Sequence, residues 1–195
     1  MTAWEIFFED KLKLIAKNAR DILDIGSGVR FGKGLARYAE LFEKNNYKTL
    51  DIDPENKPDI VADIHALPVT DQSVDAIICK AVLEHVSDPQ KAVEEIYRVL
   101  KLGGTVLAYV PFLYAYHGKL NGPDFYRYSK DGIRHLFKKF SQLEIFPVRG
   151  FWETWFYFLP FGLRKFFAPT IGRFLDALKK QSGNQASGYN IFAVK

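Results

Sequence analysis

The run Asp21-Ile22-Leu23-Asp24-Ile25 ends in Gly26-Ser27-Gly28, and an amphipathic helical pattern (Leu35, Tyr38, Ala39, Leu41, Phe42) begins soon after. The run has the length and residue types of a buried parallel strand. Two glycines behind it let a ligand come close to the backbone, and the helix start offers N–H groups without intrahelical partners. Strand, glycine turn and helix in that order open a βαβ unit, which places the chain in the α/β class.

The 195 residues form most simply one domain, 1–195, large enough for a proper core. Charged residues make up 26% and the net charge is +4, too small a surplus to imply nucleic-acid binding by itself. A single cysteine, Cys79, excludes an internal disulfide framework and any Cys-rich zinc site. The N-terminal M-T-A-W-E-I-F-F-E-D-K is apolar but interrupted by Glu5, Glu9 and Asp10, which reads as a packed helix over 3–18 rather than a signal peptide. No stretch reaches the ~20 apolar residues of a spanning helix. A cytoplasmic protein is expected.

Further strands are predicted at 47–51, 59–62, 75–79 and 105–110. Ser87 or Asp88 before Pro89 starts a helix with Ala92, Val93, Ile96, Val99 and Leu100 on its buried stripe, and Gly103-Gly104 is expected to end it. Asp51 and Asp63 close two of the strands, where an open α/β sheet faces its ligand. A carboxylate there can accept from both hydroxyls of a ribose, while Asp53 before Pro54 reads as a turn or cap residue. After a helix over 131–140 come a strand over 143–148 and a last strand over 189–195. The expected architecture is a doubly wound, mostly parallel seven-stranded sheet.

L-D-I-G-S-G, L-D-I-D-P, A-D-I-H-A-L-P, S-V-D-A-I-I-C-K-A-V-L-E-H-V and E-I-Y-R-V-L-K-L-G-G, in this order, resemble the class I S-adenosylmethionine-dependent methyltransferases, nearest the broad type 11 group. The resemblance covers roughly residues 21–110 and implies a Rossmann-like fold with an antiparallel last strand. It implies S-adenosylmethionine as cofactor: Asp24, Gly26, Ser27 and Gly28 on its methionine part, Asp51 on the ribose, and Ile52 on the adenine ring. Asp63 and Ile64 would meet the adenine amino edge, with Cys79 and Lys80 nearby. Arg30 stands where the family has a third glycine, so either Gly32 or Gly34 serves instead or cofactor affinity is altered. A dinucleotide fold would need G-x-G-x-x-G, and here Phe31 occupies the third glycine's place, which counts against NAD.

The long segment Val110–Ser129 leaves the fifth strand and is the expected acceptor loop. It resembles a subgroup with P-F, then His, then P-D-x-x-R-(Y/F)-(S/T). His117 is the candidate base, having a free pKa near ~6.5. Asp124 and Arg127 either contact the acceptor or pair to pin the loop, and Tyr126 and Tyr128 either stack on it or bury. Some methyltransferases hold a divalent metal through E-x-x-E-H at the Glu84-His85 position. Ala81 replaces the first glutamate here, so no metal is expected, although Glu84, His85 and His117 would supply three ligands if they converged.

An insertion at about 150–188 separates the last two strands. Its F-W-E-T-W-F-Y-F-L-P-F-G-L-R-K-F-F is crowded with aromatics, and Arg164, Lys165, Arg173, Lys179 and Lys180 punctuate it. A lid, a homodimer contact and a peripheral membrane surface at the inner face all fit that composition. Ser182–Gly188 is expected to be a flexible connector. The leading reading is O-methylation of a small-molecule, glycan or lipid-linked acceptor. The alternative is a non-catalytic cofactor-binding partner that docks through the insertion. Nucleic acid is not expected as a partner, since C-K-A-V-L-E-H after the fourth strand lacks an N-P-P-Y-type clamp for a flipped base.

Overall fold

Successive side chains point to opposite faces of a strand, and here both faces are apolar and both are covered. Leu23, Ile25, Ile77 and Cys79 belong to one buried cluster, whereas Ile22, Ala76 and Ile78, their immediate neighbours, belong to the other. The computed structural model describes residues 1–118, 122–178 and 184–195. Lys179, Lys180 and the first part of the Ser182–Gly188 connector lie outside the described residues.

The strands are β1 (Asp21–Ile25), β2 (Asn46–Asp51), β3 (Ile60–Val61), β4 (Val74–Lys80), β5 (Leu100–Pro111), β6 (Gln142–Val148) and β7 (Gly188–Val194). They form one sheet in the order β3-β2-β1-β4-β5-β7-β6, parallel except that β7 runs antiparallel to both neighbours. This is the expected doubly wound sheet of the Rossmann-like methyltransferase fold.

Helix α1 (Ala3–Asn18) lies on one face and buries Phe8, Leu12 and Ile15. Its first turn is closed by a capping box: Glu5 accepts from the Thr2 amide at 2.7 Å, and the Glu5 amide donates back to the Thr2 hydroxyl at 3.4 Å. On the other face lie α2 (Pro89–Val99), with Asp88 capping the Lys91 amide at 3.0 Å, and α3 (Lys130–Leu136).

Two local expectations are corrected. Gly103-Gly104 does not end α2: the helix stops at Val99 and the glycines lie inside β5. The pairing with β4 jumps from Val74↔Leu100 to Ala76↔Thr105, so the glycines absorb a register irregularity. The crossover after the glycine turn is a 3-10 helix, Ala36–Phe42, not an α-helix, with Tyr38 and Phe42 buried.

The insertion folds as α4 (Phe151–Tyr157), α5 (Phe161–Phe167), a π-helical turn (Ala168–Gly172) and α6 (Arg173–Leu178). Asp176 of α6 accepts from the Trp152 and Glu153 amides at 2.9 and 3.0 Å, satisfying the start of α4, and Arg173 pairs with the buried Glu153 at 3.1 Å. The outward sides carry Trp155, Phe158, Phe161, Phe166 and Phe174, each more than half exposed. Among the described residues no helix is long and apolar enough to cross a membrane.

Candidate active site

The sheet order reverses direction between β1 and β4, and a crevice opens beyond the carboxyl ends of the parallel strands at such a point. A cavity of about 980 Å³ lies there, reaching from the Gly26–Gly28 turn and Asp51 to Glu84, His85 and His117.

At the first end, the Gly26 amide donates to Leu50 O at 2.6 Å, stitching the turn to β2. Gly26 has φ +64°, and a Cβ on it would sit 2.5 Å from Val82 Cγ2. Asp51 Oδ2 accepts from the Gly28 amide at 2.9 Å and Oδ1 from the Asp53 amide at 3.0 Å, which leaves further lone pairs for a ligand. Ile52 beside it presents an apolar side chain that is 68% exposed. Asp53 caps the following turn through the Glu55 amide at 2.9 Å.

Arg30 points away from the turn, to Tyr47 O at 2.8 Å and Asp59 at 3.1 Å. The tight place in the turn belongs to Gly32, where a Cβ would fall 2.2 Å from Ser27 O. Gly26, Ser27, Gly28, Asp51 and Ile52 all line the cavity. Asp24 lies beneath it, fully buried, with its Oδ2 accepting from the Tyr47 hydroxyl at 2.6 Å, and burial pushes its carboxyl up to about 7. Asp63, Ile64, Cys79 and Lys80 are also outside the lining. Asp63 accepts from the His65 amide and ring, Ile64 and Cys79 are buried, and Lys80 Nζ donates to Lys33 O at 2.6 Å.

At the other end, the acceptor loop is sewn to the turn after β4. Glu84 O accepts from the Phe125 and Tyr126 amides at 2.8 and 3.3 Å, the Tyr128 hydroxyl donates to Leu83 O at 2.6 Å, and the Tyr126 hydroxyl donates to Ser87 O at 2.8 Å. The Arg127 guanidinium grips both oxygens of Asp124, at 2.5 and 2.7 Å, and also donates to Tyr114 O and Ala115 O. That guanidinium holds the Asp124 carboxyl far below the usual carboxylate range. Asp124 in turn accepts from the His117 amide at 2.9 Å. Asp124, Tyr126, Arg127 and Tyr128 therefore brace the loop from behind, and none lines the cavity.

The partners of each imidazole fix its tautomer. His85 Nδ1 lies 2.7 Å from Pro123 O, and His117 Nδ1 lies 3.2 Å from Ala115 O and 3.3 Å from Asp124 Oδ2. Those oxygens only accept, so each Nδ1 carries the hydrogen, and in the neutral ring the lone pair is on Nε2. Glu84 is 1% exposed, its Oε2 has no hydrogen-bond partner among the described residues, and burial pushes its carboxyl up to about 7. The ligand atoms of Glu84, His85 and His117 lie within 4.8 Å of one another. Sequence reasoning did not single out Lys33, Tyr109 or Tyr114, which also line the cavity. Lys33 donates to the Lys80 and Ala81 carbonyls at 2.9 and 2.6 Å, and its φ of +52° just before Gly34 is a feature that no pattern of residue types announces.

Residues 23–108 match the family described as Methyltransferase domain. Two uncharacterized proteins share sequence with the chain. One, from Methanocaldococcus jannaschii, is 30% identical over 112 residues, 53% of this chain and 51% of its own length. The other, a 37.1 kDa protein in a Streptomyces fradiae transposon, is 36% identical over 77 residues, 38% of this chain and 21% of its own length. The matched regions thus span about half and about a fifth of those relatives. Among solved structures, a SAM-dependent methyltransferase from Archaeoglobus fulgidus superposes with a TM-score of 0.61 at 16% identity, over 99% of this chain and 95% of that one. The domain match, the strand order and the glycine turn at the switch point agree: residues 23–108 are similar to a methyltransferase domain, and the sheet has the fold of the class I S-adenosylmethionine-dependent methyltransferases.

Proposed function

We propose that the protein transfers a methyl group from S-adenosylmethionine to a hydroxyl oxygen of an acceptor held against Glu84, His85 and His117. The observation that carries this reading is the continuity of one cavity from the Gly26–Gly28 turn to that wall. The residues at the first end suit the cofactor. Open space beside Gly28 admits the methionine part, Asp51 is oriented by two amides to accept from ribose hydroxyls, and exposed Ile52 offers an apolar face for adenine. Asp24 acts from beneath the turn, while Asp63 and Ile64 flank the adenine side. The bound cofactor supplies an activated methyl group. The chain orients the acceptor for in-line attack and keeps water from the reacting atoms.

His117 is the proton acceptor of the ion-free site. Its Nδ1–H is directed to Asp124 and Ala115 O, and that arrangement supports a basic Nε2. His117→Ala is expected to lower turnover by roughly 10²–10⁴-fold with cofactor affinity retained. Unchanged turnover would remove the assignment.

The insertion supports a lipid-linked acceptor, with the protein cytoplasmic and peripherally bound. Arg164 and Lys165 cover the Phe161 ring at 4.9 and 4.4 Å, beside exposed Trp155, Phe158 and Phe166, the mixture that an interfacial surface uses. Label transferred from methyl-labelled cofactor in cell extract should partition into the organic phase. Label confined to the aqueous phase would make the insertion a lid or a subunit contact and the acceptor a soluble molecule or glycan.

A further inference from the structure

We propose that Glu84, His85 and His117 form a binding site for a divalent transition-metal ion, with zinc the best match to two imidazoles and one carboxylate. The inference rests on the function above only in placing the acceptor in the same cavity.

Three independent features converge on a cation. The first is proximity: one ligand atom from each side chain lies within 4.8 Å of the others, against about 3.3–3.5 Å between neighbouring ligands of a four-coordinate zinc, so a small side-chain closure completes the set. The second is orientation. Both rings have Nδ1–H tied to Pro123 O, Ala115 O or Asp124, and such outer hydrogen bonds leave Nε2 as the donor atom that a metal takes. The third is an unmet need. Glu84 is 1% exposed and its Oε2 is without a hydrogen-bond partner among the described residues, a costly state for a buried carboxylate that a cation relieves directly.

Arg127 completes the arrangement from behind. It holds Asp124, which holds both the amide and the ring of His117, so the loop pins its own ligand through an internal ion pair. Three protein ligands leave a position open toward the cavity. An acceptor hydroxyl bound there loses its proton more readily. The proton passes to solvent, and the oxygen forms its bond to the methyl carbon as the carbon–sulfur bond breaks. With the ion in place His117 is a ligand, and its role as proton acceptor is confined to the ion-free protein.

The test is titration of the chelator-stripped full chain with Zn²⁺ by calorimetry, and with Co²⁺ by visible absorption, in the absence of methyl donor and acceptor. One ion per chain is expected, with the intense visible bands of a four-coordinate cobalt centre. His85→Ala and His117→Ala should each abolish it. Asp124→Asn, which among the three ligands touches only His117, should weaken it roughly 10–100-fold. Asp53→Asn, on the opposite rim of the cavity, should leave it unchanged. Circular dichroism of each variant checks that it folds. Absence of stoichiometric binding, or binding that survives both histidine replacements, would overturn the proposal. Because binding is read without substrates, a failure of methyl transfer bears on the proposed function and not on the metal site.

Discussion

Replacing Asp24 by asparagine would separate charge from shape beneath the glycine turn. Asp24 is 1% exposed, accepts the Tyr47 hydroxyl at 2.6 Å, and has its carboxyl raised by burial from 3.8 to about 7. The unfolded chain releases this proton near 3.8, whereas the folded chain keeps it to about 7. The folded state therefore binds more protons across that window, and its stability falls as pH rises through it. At about 1.4 kcal/mol per pH unit, ionising Asp24 weakens the fold by up to roughly 4 kcal/mol above pH 7. Asparagine keeps the acceptor for Tyr47 but adds an amide that needs a partner, at about 1 kcal/mol. The variant should thus be about as stable as the parent at pH 4.5 and roughly 3 kcal/mol more stable at pH 8. Urea unfolding of the ligand-free protein, followed by tryptophan fluorescence at both pH values, reads the difference. An equal difference at pH 4.5 and pH 8 would refute the assignment of a proton to buried Asp24.

Gly26→Ala should lower stability by about 2–4 kcal/mol, through a left-handed backbone and a Cβ only 2.5 Å from Val82 Cγ2. Adding Val82→Ala should relieve the steric part alone, so complete recovery in thermal unfolding would show that the backbone is not strained. Cys79 is fully buried and its thiol is pushed up to about 12 by burial, so an aromatic disulfide reagent should leave it unmodified in the native protein. Labelling of the native protein within minutes would show that the β4 end opens far more readily than this packing allows.

The sheet was legible because its signals are local. Runs such as Ile77-Ile78-Cys79, apolar on both faces, announce strands covered on both sides, and glycine turns and Asp88-Pro89 mark their connections. Gly103-Gly104 misled because a glycine pair ends a helix and accommodates an irregular strand equally well. The deciding fact, the jump in pairing between Val74 and Ala76, belongs to the partner strand. The site was legible in its parts and not in its assembly. Asp51, Gly28 and His117 could be named from spacing, and the resemblance supplied their expected roles. That the loop carrying His117, Asp124 and Arg127 is sewn to Glu84, whose Oε2 is buried without a hydrogen-bond partner among the described residues, depends on contacts across about 40 residues of chain, from the Phe125 and Tyr126 amides to Glu84 O. Arg30 could not be weighed at all from its own segment, since its partners are Tyr47 and Asp59.

The place of β7 has a consequence for how the protein is made. It lies between β5 and β6 and is hydrogen-bonded to both, so β6 has no other strand to join among the described residues. On the ribosome, the open edge of β5 and the whole of β6 must wait for residues 188–194, a few seconds at ordinary elongation rates. During that interval the nascent chain displays an unpaired edge beside the aromatic helices of the insertion, the combination that invites aggregation or a chaperone. Shortening the insertion would shorten the wait while changing the entropy of closing that loop only slightly. The yield of soluble protein, more than its final stability, should respond to the length of that segment.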